Sequence, residues 1–168
     1  MNVKFRLGRS LLNEVRADLS RPHPFAAERV GFLYGQFVDA GGPLVLLTDY
    51  EPLADERYIN DPYAGARIDS QAIRSAMQGV LDRKQGAFHV HMHHWPGYPA
   101  MSRMDAEEIP RVVTGLRRVG PTLAHGILLL HDVECAAWIW LPGKENAVEA
   151  ALVSVVGFPF HISWRPAA

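Results

Sequence analysis

The chain reads as an α/β protein, and three observations carry that reading. Some stretches repeat their apolar residues at helical spacing, others alternate them at period two, and the two kinds of stretch follow one another along the chain. No repeat or low-complexity tract interrupts them. The 168 residues are 48% hydrophobic and 21% charged, enough for one full hydrophobic core and too few for two comfortable ones, so a single domain over residues 1–168 is expected.

Residues 3–7 open with a short strand. Residues 9–19 place Leu11, Leu12, Val15 and Leu19 at helical spacing and stop ahead of Pro22 and Pro24. Two strands follow, about Arg29–Val38 and Pro43–Asp49, hinged on Ala40-Gly41-Gly42, a hairpin signal. The polar segment Glu51 to Asp69, with two prolines and a glycine, predicts a long surface loop. Residues 70–84 fit an amphipathic helix through Ile73, Met77, Val80 and Leu81, with Gly86 as its stop.

A strand over Ala87–Met92 runs into a histidine-rich loop. A helix over about 103–118 comes next, kinked or restarted at Pro110. Strands at about 126–131 and 134–141 share a tight turn at His131-Asp132. A helix at 143–152 and a last strand near 158–164 complete the expected order.

Composition excludes several classes. Seventeen Lys+Arg against 18 Asp+Glu leave a net charge of −1, so there is no basic field for nucleic acid. The lone Cys135 cannot form an internal disulfide; it reads as a small buried hydrophobe and points to a reducing cytoplasm. Lys4, Arg6 and Arg9 spoil a secretory segment, and the longest apolar runs fall short of the ~20 residues of a membrane helix, so no membrane partner is expected.

Histidine is out of line. Of eight, four crowd into His89, His91, His93 and His94. On a strand, His89 and His91 project from one face roughly 6–7 Å apart at Cα. Two imidazoles so placed can converge on one zinc ion, and Asp105, at a plausible helix start, can supply a third ligand while water takes the fourth position. The same Ser102-x-x-Asp105 spacing also reads as a helix cap, and the two roles are compatible. Glu28, at the entrance of the apolar strand Val30–Tyr34, is the candidate general base for such a site. Glu51, Glu107 and Glu108 are its rivals, the last two in the exposed first turn of a helix.

These residues resemble the signature of the JAMM (JAB/MPN) metalloproteases. Glu28 precedes Val30-Gly31-Phe32-Leu33-Tyr34-Gly35, His89-Val90-His91 follows on a later strand, and Ser102-Arg103-Met104-Asp105 comes last, in the family's order over residues 10–141. Ten residues separate His91 from Ser102, a longer gap than is usual in the family, and the loop carries His93, His94 and Trp95. In this the chain is similar to bacterial JAB variants associated with ubiquitin-activating-like and ubiquitin-conjugating-like enzymes.

The resemblance implies a JAB/MPN fold of the cytidine-deaminase-like kind, a curved mixed sheet flanked by helices. It implies one zinc ion per chain on His89, His91 and Asp105. Glu28 would take a proton from the attacking water and pass it to the leaving amine, and Ser102 would hydrogen-bond the oxyanion. The implied substrate is a peptide or isopeptide bond after the Gly-Gly tail of a ubiquitin-like protein. Trp95 and Tyr98, with Tyr58 and Tyr63 opposite, are the candidate walls of a slot for that tail.

A rival comes from another class. His89-x-His91-x-His93 also resembles the histidine-triad nucleotide hydrolases, which need no metal. Against it, 75 residues follow His93, and the triad scheme gives no role to Glu28, Ser102 or Asp105. A non-enzymatic MPN scaffold is a third reading, but such scaffolds typically lack the ligands kept here.

Overall fold

The structure, a computed structural model, describes residues 2–39, 41–94 and 97–166. The chain opens with β1 (Lys4–Gly8), where alternation buries Phe5 and Leu7. Helix α1 (Arg9–Leu19) follows directly and buries Leu12, Val15 and Leu19. Then come β2 (Val30–Val38), β3 (Leu44–Pro52), a single 3-10 turn (Asp55–Arg57), α2 (Ser70–Arg83) and β4 (Gly86–Met92). After α3 (Arg103–Val119) the chain is all strand: β5 (His125–His131), β6 (Glu134–Trp140), β7 (Val148–Glu149), β8 (Leu152–Val156) and β9 (His161–Trp164).

Among the described residues, nine strands make one mixed sheet in the order β7-β6-β5-β4-β2-β3-β1-β8-β9. The β1–β3, β1–β8 and β4–β5 pairs are parallel, and the others are antiparallel. Helix α1 packs with the core side chains of one sheet face, among them Leu33, Phe88, Val90, Leu128 and Leu130. Helices α2 and α3 pack with the opposite face, through Phe32, Tyr34, Ala87, Ile127 and Leu129. Because strand side chains alternate, the odd residues of β4 point toward α2 and α3. The mixed α/β class expected from the sequence is the class observed.

Two expectations are corrected and two are narrowed. Residues 143–152 form no helix: a turn leads into β7, and Leu152–Val156 pair in parallel with β1 over five residues. The run Ala147–Val156 satisfies both the helical and the strand period, and the open edge of β1 decides between them. Helix α3 passes through Pro110 without restarting. The carbonyl that loses its partner there belongs to Ala106, an exposed residue, so the missing bond is cheap.

Lys84 rather than Gly86 closes α2, in the left-handed conformation with φ 54° and its N–H donated to the Val80 carbonyl. Gly86 instead opens β4, where a Cβ would lie 1.8 Å from the Ala124 carbonyl oxygen. Finally, the segment 51–69 is the expected surface loop, with Glu51 and Pro52 belonging to β3 and with its own internal pairing. Tyr58 bridges Ile68, the Ile59 N–H reaches the Arg67 carbonyl, and Asp61 pairs with Arg67. Among the described residues, no helix is long and apolar enough to cross a membrane.

Candidate metal centre

The extended pairing of β4 with β5 runs one step past Met92, since the His93 N–H donates to the Leu130 carbonyl at 2.9 Å. His89, His91 and His93 therefore stand in succession on the face toward α2 and α3. All three are buried. Their rings touch edge to face, with centroids 5.2 Å apart for the first pair and 4.7 Å for the second. The Nε2 atoms of His91 and His93 lie 2.9 Å from each other.

Asp105 arrives from the start of α3. Ser102 is the N-cap: its Oγ accepts the Asp105 N–H at 3.1 Å, and Asp105 Oδ2 accepts the Ser102 N–H at 2.8 Å. This reciprocal box aims the carboxylate at the sheet, where Oδ1 is 3.3 Å from His91 Nε2 and Oδ2 is 3.4 Å from His93 Nε2. Burial would raise the Asp105 pKa, but the His91 and His93 rings and the Ser102 hydrogen bond outweigh it and hold the carboxyl well below its usual range.

Glu28 comes from the other side. In the antiparallel register of β2 with β4, Val30 lies opposite His91, which brings Glu28 level with His93. One ligand atom each from Glu28, His91 and His93 lie within 4.8 Å of one another, so these three residues can hold a metal ion. The ordered segment after the 3-10 turn backs Glu28: its N–H donates to the Gly65 carbonyl, and a Cβ on Gly65 would sit 2.8 Å from its Oε2. The three rivals are engaged elsewhere, Glu51 with Tyr34 and Arg83, Glu107 with Arg103, and Glu108 with Arg111.

Do these donors fit an ion? Ligand atoms about 2.0–2.1 Å from a tetrahedral metal stand roughly 3.3–3.4 Å from each other. His91 and His93 stand 2.9 Å apart at Nε2, and each has its own Asp105 oxygen at that spacing, Oδ1 at 3.3 Å and Oδ2 at 3.4 Å. Two imidazoles with a carboxylate are a donor set suited to a divalent transition metal.

The converging pair is thus shifted two residues along the strand from the expected His89 and His91. His89 lies one step back along the strand, its Nδ1 3.4 Å from His91 Nδ1 and its ring edge-on to Phe32. Burial, and then the neighbouring His91, push its pKa down to about 3. The signal for His93 was present in the sequence as the same period-two alternation, carried one step beyond the apolar part of the strand.

The aromatic slot is not assembled as expected. Tyr63 is 89% exposed, and Tyr58 is buried with its hydroxyl bonded to the backbone of Val30. Tyr98 is half-buried, its pKa raised to about 12 by burial and then by Glu149 and Glu134, carboxylates of β7 and β6. Trp95 lies outside the described residues. Beside Glu28 there is instead a cleft of about 300 Å³, lined also by Pro22, His23, Ala26, Ala27 and His94.

No family model matches the chain, and no curated protein does. Among solved structures, the chain is similar to the N-terminal domain of STIL from Trichoplax adhaerens, with a TM-score of 0.36 and 7% identity over 78% of this chain. It spans 39% of that chain's length. The functional reading therefore rests on the donor geometry.

Proposed function

We propose that the protein is a zinc-dependent peptidase or isopeptidase of JAMM (JAB/MPN) type, cleaving after the Gly-Gly tail of a ubiquitin-like protein, with activating-like and conjugating-like enzymes as companions in the same system. One observation carries the reading: the Nε2 atoms of His91 and His93 lie 2.9 Å apart with the Asp105 carboxylate 3.3 and 3.4 Å from them, and a second carboxylate, Glu28, lies within 4.8 Å of the same two rings. Taking His91 and His93 as the pair also shortens the gap to Ser102 from ten residues to eight, nearer the family's pattern.

His91, His93 and Asp105 would hold the ion, which when bound supplies Lewis acidity toward the scissile carbonyl and toward water. Glu28 accepts a proton from the attacking water and returns it to the leaving amine. The Ser102 hydroxyl accepts from the Asp105 N–H and keeps its own proton to donate to the developing oxyanion. Glu28 is half-buried and also lines the neighbouring cleft.

The test is metal content together with cleavage of a Gly-Gly-linked ubiquitin-like fusion. Purified protein should carry about one equivalent of zinc, lost in His91→Ala and in His93→Ala. Glu28→Gln should keep the zinc and lose turnover by more than about a hundredfold. Metal-free protein that is folded and active, or a Glu28→Gln variant within about tenfold of wild type, overturns the proposal. Metal-independent nucleotide hydrolysis would support the histidine-triad reading instead, although that scheme does not explain a carboxylate set against both His91 and His93.

A further inference from the structure

We infer that His89 is a positioning residue of the metal centre: its Nδ1 accepts a hydrogen bond from the Nδ1–H of His91 and holds His91 in the tautomer that leaves Nε2 free for the ion. The inference rests on the metal centre proposed above. It differs from the expectation that His89 is itself a ligand.

His91 sets the requirement. Its Nε2 faces His93 Nε2 at 2.9 Å and Asp105 Oδ1 at 3.3 Å, so Nε2 is the atom aimed at the donor set. A neutral imidazole carries one proton, and a proton on Nε2 would occupy the lone pair that binds metal. The ligating tautomer therefore has its proton on Nδ1. That nitrogen meets His89 Nδ1 at 3.4 Å, long for a hydrogen bond. His89 must then accept at Nδ1 and carry its own proton on Nε2.

The rest of the fold holds His89 in place for this task. Phe32 lies directly opposite it in the β2–β4 register and packs edge-on against its ring, with centroids 5.7 Å apart and planes at 83°. His89 is 7% exposed. Metal-bound histidines usually donate their second N–H to a carboxylate or a carbonyl. A neutral imidazole in that position orients the ligand without adding a second buried negative charge beside Asp105.

The experiment compares zinc affinity, by competition with a chromophoric chelator, for wild type, His89→Phe and His89→Asn. The Phe variant fills the space without an acceptor, while the Asn side-chain oxygen can occupy the place of Nδ1. Loss of an outer contact of this kind weakens binding by about 10- to 100-fold, so His89→Phe should fall in that range and His89→Asn should recover most of it.

Zinc binding by His89→Phe equal to wild type overturns the inference and leaves the metal centre standing. Equal collapse of binding in both variants also overturns it, in favour of direct ligation. Wild-type protein that binds no zinc removes both the centre and the inference. Should His89→Phe fail to fold, nitrogen-15 spectra of the zinc-loaded wild type decide: the proton belongs on Nδ1 of His91 and on Nε2 of His89, and the reverse assignment overturns the inference.

Discussion

Asp105 is where the helix start and the histidine cluster meet, and its removal separates two energetic contributions. In Asp105→Ala the Ser102 N–H loses its acceptor, a capping loss of about 1 kcal/mol. The same change takes the charged acceptor from His91 and His93, a contribution of about 1.5–3 kcal/mol. Together these lower stability by about 2.5–4 kcal/mol, or roughly 5–15 °C in Tm for a domain of this size. Asp105→Asn keeps an oxygen for the cap and loses only the charge, so it should fall between wild type and Asp105→Ala.

The pH dependence has a definite sign. A carboxyl held below its unfolded value of about 3.9 contributes stability above that pH, and the contribution is lost as the pH falls through the lower folded value. The gap between wild type and Asp105→Asn should thus be open at neutral pH and close in the acid range below about pH 4. Thermal unfolding followed by circular dichroism in the presence of chelator measures both quantities. If Asp105→Asn unfolds with wild type at neutral pH while Asp105→Ala loses only the capping share, the charge contributes nothing, and the convergence on His91 and His93 is not what stabilises this corner.

Two further changes test the parts that support the site. Gly65→Ala would place a Cβ 2.8 Å from Glu28 Oε2, so the carboxylate must retreat by roughly 0.6 Å to regain ordinary contact. The end of a Glu side chain yields easily, so Tm should stay nearly constant while turnover falls about tenfold or more; unchanged turnover would mean that the position of Glu28 is not critical. His125 is buried, accepts the Ala87 N–H at Nδ1 and reaches the Gly120 carbonyl through Nε2, so His125→Leu strands two buried polar groups at a cost of about 2–5 kcal/mol in denaturant unfolding. Burial holds the His125 pKa down, so the neutral ring favours the folded state above the unfolded value of about 6.5, and wild type loses that stability on acidification below it; a His125→Leu profile parallel to wild type there would refute the assignment.

What the sequence disclosed was decided by how many periods a stretch could satisfy. Helix α1, with Leu12, Val15 and Leu19 on one face, and the strands Val30–Val38 and Gly86–Met92 fit one period only, and they stand where expected. The run Ala147–Val156 fits two, and its outcome depended on the parallel edge of β1, nearly 150 residues away in sequence. The histidines pose the same problem in miniature. Residues 89, 91 and 93 share a face, so alternation alone cannot say which two meet Asp105. The register of β2 against β4 and the reach of Asp105 from α3 make that choice, and neither is local.

The loop residues were harder to read for a different reason. Tyr58, Tyr63 and Tyr98 offered only their type and their neighbourhood in sequence, and a side chain on an irregular segment has no period to fix its direction. Tyr58 turned inward to cap the start of β2, and Tyr63 turned to water. Glu28 was readable because it precedes a strand whose direction is set by its core. Two residues from Val30, it inherits the register of β2 and so arrives beside His93. Asp105 inherits its aim in the same way from the Ser102 cap. Candidate groups one or two residues from a well-determined element end were thus placed by that element. Groups in mid-loop were not, and it is the anchored ones that make up the candidate metal centre.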